Sequence, residues 1–150
     1  MDILRLTNEP LSLESISKEV GSDDCGAISS FCGTTRNSFE DRQVVRLEYE
    51  AYEEMAVSEM KKICGALREK WSLKHIAIYH RLGVVPVGES SIIIAISSCH
   101  RRDSLEAVAH AIDALKARVP IWKREVYAEG GGAEWKQNAE CHWRQKAKGS

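Results

Sequence analysis

The stretch His100–Glu125, HRRDSLEAVAHAIDALKARVPIWKRE, constrains the fold more than any other. Leu105, Val108, Ala109, Ile112 and Leu115 recur at helical spacing and predict one amphipathic helix. Asp103 reads as its N-cap, with Glu106 three residues on as in a capping box. Pro120 ends the helix and pushes Val119 towards extended geometry. The following IWKRE alternates like a strand, placing Ile121, Lys123 and Glu125 on one face and Trp122 and Arg124 on the other. Lys116 is anomalous. At about 100° per residue it falls near the middle of the apolar stripe, where an ammonium must snorkel or meet an anion. Two lysines therefore flank a proline turn where a helix meets a strand.

The rest of the chain reads in order. Residues 2–7 form a first strand. Ser12 caps a short helix through Val20, with Leu13, Ile16 and Val20 on one side. Gly26–Thr35 reads as a buried strand of small residues, with Gly33 marking a bulge or a close backbone approach. Arg36–Gln43 reads as a mobile polar loop. Val44–Ala51 alternates, with Val45, Leu47, Tyr49 and Ala51 inward. Glu53–Trp71 is a helix with Met60, Cys64, Leu67 and Trp71 as its stripe. Leu73–Leu82 is a strand, and VVPVGE reads as a turn. Ser91–Ser98 is apolar on both faces, so it belongs in the interior of a sheet. The implied order is β-α-β-β-α-β-β-α-β. That is an α+β domain over residues 1–150, with two main helices packed on an antiparallel or mixed sheet.

Charge and cysteine usage narrow the chemistry. Net charge is −1, which removes any global polycation argument for nucleic acid. The cations His100, Arg101, Arg102, Lys116, Arg118, Lys123 and Arg124 nevertheless gather around one helix, which suits a small anion better than a duplex. No apolar run reaches the length of a membrane span, and the N-terminus has no signal-peptide pattern. The five cysteines include no CxxC pair, which argues against a zinc site or a disulfide framework and for a reducing, cytoplasmic setting. His75, His80, His110 and His142 have no metal-like spacing.

Individual motifs have plain readings beside functional ones. His100–Arg101 before a helix N-terminus is either an anion site or a solvated basic turn. Lys116 and Lys123 are either working cations or snorkelling side chains. Glu125 is either the structural partner of Lys123 or an acid–base group. Cys99 beside His100 reads as a structural cysteine, because neighbours on a strand point to opposite faces.

Taken together, F-x-G-x-x-R at Phe31–Arg36, LEYEAY at Leu47–Tyr52, HRLG at His80–Gly83, HR at His100–Arg101 and K-x-R-x-P-x-W-K-x-E at Lys116–Glu125 resemble the catalytic-subunit family of molybdopterin synthases. The resemblance runs from about Gly26 to Tyr127. It implies an α/β-hammerhead fold and a homodimer. It also implies a small ubiquitin-like sulfur carrier at each end, making a heterotetramer. The carrier's C-terminal Gly-Gly thiocarboxylate would enter a pocket and give sulfur to cyclic pyranopterin monophosphate, forming the dithiolene of molybdopterin. By the same resemblance Lys116, Lys123 and Glu125 are the catalytic candidates. Arg36, His100, Arg101 and Phe31 are the substrate-binding candidates, with Arg36 a candidate to act across the dimer. No metal or cofactor of its own is implied, and neither nucleic acid nor membrane is a partner. Cys32 departs from the family pattern and reads as packing. Trp135 and Trp143 are the candidate dimer anchors. The competing classes are a non-catalytic module that binds a ubiquitin-like tail and a nucleic-acid-binding α+β domain. The second would want exposed aromatics on a broad basic surface.

Overall fold

The computed structural model describes residues 1–128 and, for its backbone pairing, the strand 135–137. The elements are β1 (Asp2–Thr7), α1 (Leu13–Val20), β2 (Ala27–Thr34), β3 (Ser38–Phe39), β4 (Arg42–Ala51), α2 (Glu53–Lys70), β5 (Ile76–Arg81), β6 (Gly83–Pro86), β7 (Ser90–Ser98), α3 (Arg101–Arg118), β8 (Ile121–Tyr127) and β9 (Trp135–Gln137). They form two sheets rather than one. The first runs β1-β5-β7-β2, with β1 parallel to β5 and the other pairs antiparallel. The second runs β3-β4-β8-β9, and β6 also pairs with β4.

The first sheet is covered on both faces, which explains the unbroken apolar run of β7. Ile92, Ile94 and Ile96 join the cluster formed with α2 and α3. Ile93 and Ala95 face the other way, onto Ile16 and Val20 of α1 and Ile3 of β1. Alternation along a strand sends successive side chains to opposite faces, so two apolar layers demand two apolar sets. Met60, Cys64 and Leu67 lie on the buried face of α2 as their spacing predicts, joined by Ala56 and Ile63, while Trp71 is the C-cap and only partly buried. Ser12 caps α1 by accepting from the Ser15 amide at 3.3 Å.

Several expectations need correction. β2 is an edge strand with Ile28 exposed, not a fully buried one. The segment expected to be a loop, Arg36–Gln43, is largely a hairpin. β3 pairs with β4 across Glu40 and Asp41, which both adopt positive φ (49° and 63°). A two-residue turn with φ > 0 twice matches the twist of its strands, and glycine usually signals it. VVPVGE contributes β6, because Val84 and Val85 pair with Glu48 and Leu47. In β4 the start of the inward pattern slips. A register shift between Val44 and Arg46 buries Val44 (3% exposed) and turns out Val45 (43%). Such a bulge moves every side chain on one side of it to the opposite face.

Helix α3 also differs from its pattern. It begins at Arg101, with His100 at the N-cap position and no side-chain cap from that residue. Asp103 lies in its first turn instead. The capping work falls to Ser98, whose hydroxyl donates to the His100 carbonyl at 2.5 Å and accepts from the Ser104 amide at 3.2 Å. The buried face is Ser104, Ala107, Val108, Ala111 and Leu115, while Leu105 is 58% exposed. Small side chains let the helix lie close against β2 and β7, and the Ser104 and Ser29 hydroxyls meet at 2.7 Å in that seam. Close approach outweighs the burial of one more leucine, so the helix turns relative to the stripe of large residues.

Candidate active site

The proline turn is the joint on which the site is built. The Ile121 amide donates to the Val119 carbonyl at 2.9 Å, closing a tight turn around Pro120, and the Tyr52 amide holds the Pro120 carbonyl at 3.2 Å. This sets β8 antiparallel to β4, with Lys123 opposite Tyr49 and Glu125 opposite Leu47. Beside the turn lies a cavity of about 470 Å³ between the two sheets and the last turns of α3.

Five of the seven site residues expected from sequence line this cavity: Phe31, Arg36, Lys116, Lys123 and Glu125. They come from β2, the β2–β3 connection, the last turn of α3, and β8. The alternation of β8 holds, for Ile121, Lys123 and Glu125 all face the cavity. On the same strand Arg124 makes an ion pair with Glu48. Lys116 corrects its expectation in one respect. It is exposed at the margin of the buried face, because α3 is turned as described, yet it still reaches the cavity wall. A cation in the last turn of a helix is favoured there by the helix dipole. Glu125 is buried (5% exposed), and the Tyr127 hydroxyl donates to it.

The remaining two residues are elsewhere. His100 and Arg101 border a shallow depression with Arg102, Leu105 and Glu106 at the opposite end of α3. Sixteen residues of helix separate His100 from Lys116, about 24 Å at 1.5 Å per residue. One chain therefore does not bring the two cation groups together. Trp135 and Trp143 offer no account of a dimer here: Trp143 and the side chain of Trp135 lie outside the described residues, as do Cys141 and His142.

Among the cavity residues not singled out as site candidates from sequence are Gly33, Tyr49 and His80. Gly33 faces Ile92 so closely that a Cβ would stand 2.8 Å from its Cγ2, and Ser91 donates to the Gly33 carbonyl at 3.2 Å. Tyr49 and His80 meet edge to face, ring centroids 4.9 Å apart. Burial pushes the Tyr49 phenol up, with Glu125 adding to the effect, and pushes the His80 imidazole down to about 4. HRLG and LEYEAY carried both residues, and their inward parity on two different sheets was the available signal.

Cys32 also lines the cavity, and burial pushes its thiol up, away from the reactive thiolate form. The described cysteines Cys25, Cys32, Cys64 and Cys99 are free thiols. Among the described residues no group of three or more His, Cys, Asp or Glu is arranged to hold a metal ion. No described helix is long and apolar enough to cross a membrane.

Fold and cavity together define an α+β protein with a cavity lined by apolar side chains together with Arg36, Lys116, Lys123 and the buried Glu125. The family model described as "MoaE protein" matches residues 6–118. The chain belongs to the MoaE family. It is 59% identical over 142 residues to the molybdopterin synthase catalytic subunit of Bos taurus, covering 95% of this chain and 75% of that one. The solved structure of molybdopterin synthase from Staphylococcus aureus superposes with a TM-score of 0.82 at 32% identity, covering 87% of this chain and 94% of that one. A Helicobacter pylori complex of subunits 1 and 2 of molybdopterin-converting factor shares the fold, with a TM-score of 0.75, 22% identity and 92% of each chain covered.

Proposed function

We propose that the chain is the catalytic subunit of a molybdopterin synthase, a sulfurtransferase that converts cyclic pyranopterin monophosphate to molybdopterin. The observation that carries this reading is the meeting of Lys116, Lys123 and Glu125 at one cavity, on elements joined only by the Pro120 turn. Membership of a family whose relatives bear that activity in their names supports it.

The sulfur donor is a thiocarboxylate at the Gly-Gly end of a small ubiquitin-like carrier, and the H. pylori two-subunit complex supports such a partner. Glycines pass through a narrow entrance where side chains would not. The thiocarboxylate is an anion, and the two lysines draw it into the cavity and balance charge as the acyl–sulfur bond breaks. Phe31 packs against the substrate's flat ring, Arg36 pairs with an anionic group, and Glu125 holds Lys123 and exchanges protons. His100 and Arg101 bind substrate phosphate in the same site of an assembled homodimer, supplied from the second copy. This explains why one chain holds them about 24 Å from Lys116. The working unit is then a heterotetramer of two catalytic subunits and two carriers, and its free thiols suit the cytoplasm.

A module that merely bound a ubiquitin-like tail would need a groove, not an additional cavity fringed by cations and a buried carboxylate. The test is to mix the protein with thiocarboxylated carrier and the pyranopterin and assay dithiolene formation. Product above the carrier-only control is expected. Tight carrier binding with no product would overturn the catalytic reading.

A further inference from the structure

His80 is the titratable base in the cavity wall to which the proposed chemistry gives no role. It sits near the end of β5, only 8% exposed, with its ring in the cavity wall. Its Nδ1 lies 2.9 Å from the Arg81 carbonyl oxygen. A carbonyl can only accept, so Nδ1 carries the proton and donates. The neutral ring then presents Nε2 as an acceptor, on the edge away from Arg81. No protein donor reaches Nε2 among the described residues. The Tyr49 ring packs edge-on beside it and limits its tilt. Burial opposes a charge on this ring, so it stays an acceptor at neutral pH. Nε2 is not one of the sealed, unpartnered polar atoms of the described residues, so it is open to the cavity, where a ligand N–H can reach it.

We propose that Nε2 of His80 is a ligand-binding acceptor that receives a hydrogen bond from an amide-type N–H inside the cavity. This rests on the function proposed above and names one further contact of that site. Two ligands there carry such a group: the lactam and ring N–H groups of the pterin, and the backbone amides of the carrier's Gly-Gly tail. Lys116 and Lys123 cannot take the role of acceptor, since an ammonium only donates. His80 therefore complements them, reading a neutral N–H where they read negative charge. Neutrality serves this task, because an imidazolium would repel the N–H and compete with the lysines for the anion.

The test uses the assembled full-length protein and two separate binding titrations, one with cyclic pyranopterin monophosphate and one with a peptide ending in Gly-Gly. His80→Leu fills the space without an acceptor. His80→Gln puts a side-chain oxygen near the position of Nε2. The expected result is about tenfold weaker binding of one ligand to H80L, recovered in large part by H80Q, with the other ligand unaffected. The ligand affected identifies the donor. Equal affinity of both ligands for wild type and H80L overturns the proposal, as does H80Q binding no better than H80L. If neither ligand binds wild-type protein, the functional reading fails and this contact with it. Should H80L not fold, the imidazole nitrogens of the wild-type protein decide the matter by 15N NMR. Nε2 should be unprotonated in the free protein and shift on addition of one ligand. A protonated Nε2, or one that neither ligand moves, overturns the proposal.

Discussion

Lys123 on β8 stands directly across the second sheet from Tyr49 on β4, and the Tyr49 ring meets His80 of the first sheet. A cation from one sheet and a neutral acceptor from the other thus share a single aromatic spacer. The bulge between Val44 and Arg46 brings Val44 into the cavity wall beside Leu47 and Tyr49.

The first prediction concerns the two lysines. Lys116→Ala and Lys123→Ala should each lower the rate of dithiolene formation by about 10²–10³-fold, the usual cost of losing one charge-stabilising donor. Lys116 is exposed, so its loss should leave stability within about 0.5 kcal/mol of wild type. Single-turnover rates and urea unfolding on the same preparations check this. A rate near wild type in both variants would refute the assignment.

A second prediction separates the subunits. Arg101→Ala and Lys116→Ala should each be reduced alone by about a hundredfold or more, because each removes a different cation group of the shared site. Mixed in equal amounts and allowed to exchange, they should recover activity approaching about a quarter of wild type, since half the dimers are then heterodimers and each of those has one intact site of two. Light scattering must show dimers throughout. No recovery from a demonstrably exchanged mixture would mean that the two groups do not act in one site.

Cysteine chemistry gives a third. Among the described cysteines Cys32 lines the cavity with the two lysines, yet burial raises its pKa, and Cys99 is exposed beyond the strand end. A sulfur-relay cysteine needs an accessible thiolate. Cys32→Ser and Cys99→Ser, singly and together, should therefore still make product from thiocarboxylated carrier, with any loss mirrored in the melting temperature. A folded double variant without product, or a persulfide trapped on either residue, would place the transferred sulfur on the protein.

The fourth is a pH dependence of stability. The unfolded His80 imidazole takes its proton near pH 6.5, the folded one only near pH 4. Below pH 6.5 the unfolded state binds more protons, so stability falls as pH drops and levels off below about pH 4. Between pH 7.5 and pH 5 the loss should be about 2 kcal/mol by linkage. His75, also lowered by desolvation and the nearby amino terminus, adds in the same direction. Asp24 and Glu48, held below their usual range, lose their contribution at lower pH. Urea titrations should show that H80L removes most of the slope between pH 7.5 and pH 5, and an unchanged slope would contradict the buried, neutral state.

The fold was legible wherever one period dominated. The Ser91–Ser98 run announced a strand covered on both faces, and the parity of Ile121, Lys123 and Glu125 put three cavity residues on one side. Three features resisted because their causes are not periodic. The hairpin turn uses Glu40 and Asp41 where glycine or asparagine would have signalled it. The bulge in β4 leaves no mark in an alternating sequence. The face of α3 is chosen by Ala107, Ala111 and Ser104, which favour close approach, over the larger Leu105. The distance between the two cation groups follows from one helix, yet sequence proximity suggested a single cluster.

The interior position of β7 has a consequence beyond the native state. SSIIIAISS holds nine residues with no charge and no proline, rich in β-branched side chains. Such a segment stacks readily with copies of itself when it is bare. In the folded chain β5 and β2 occupy both of its edges, and α1 lies across one face with α2 and α3 across the other. Its partners lie both earlier and later in the chain, so the strand stays uncovered until long-range pairing is complete. Substitutions that loosen α1 or β2 should thus be felt first as insoluble protein during expression, at sites that never touch a ligand.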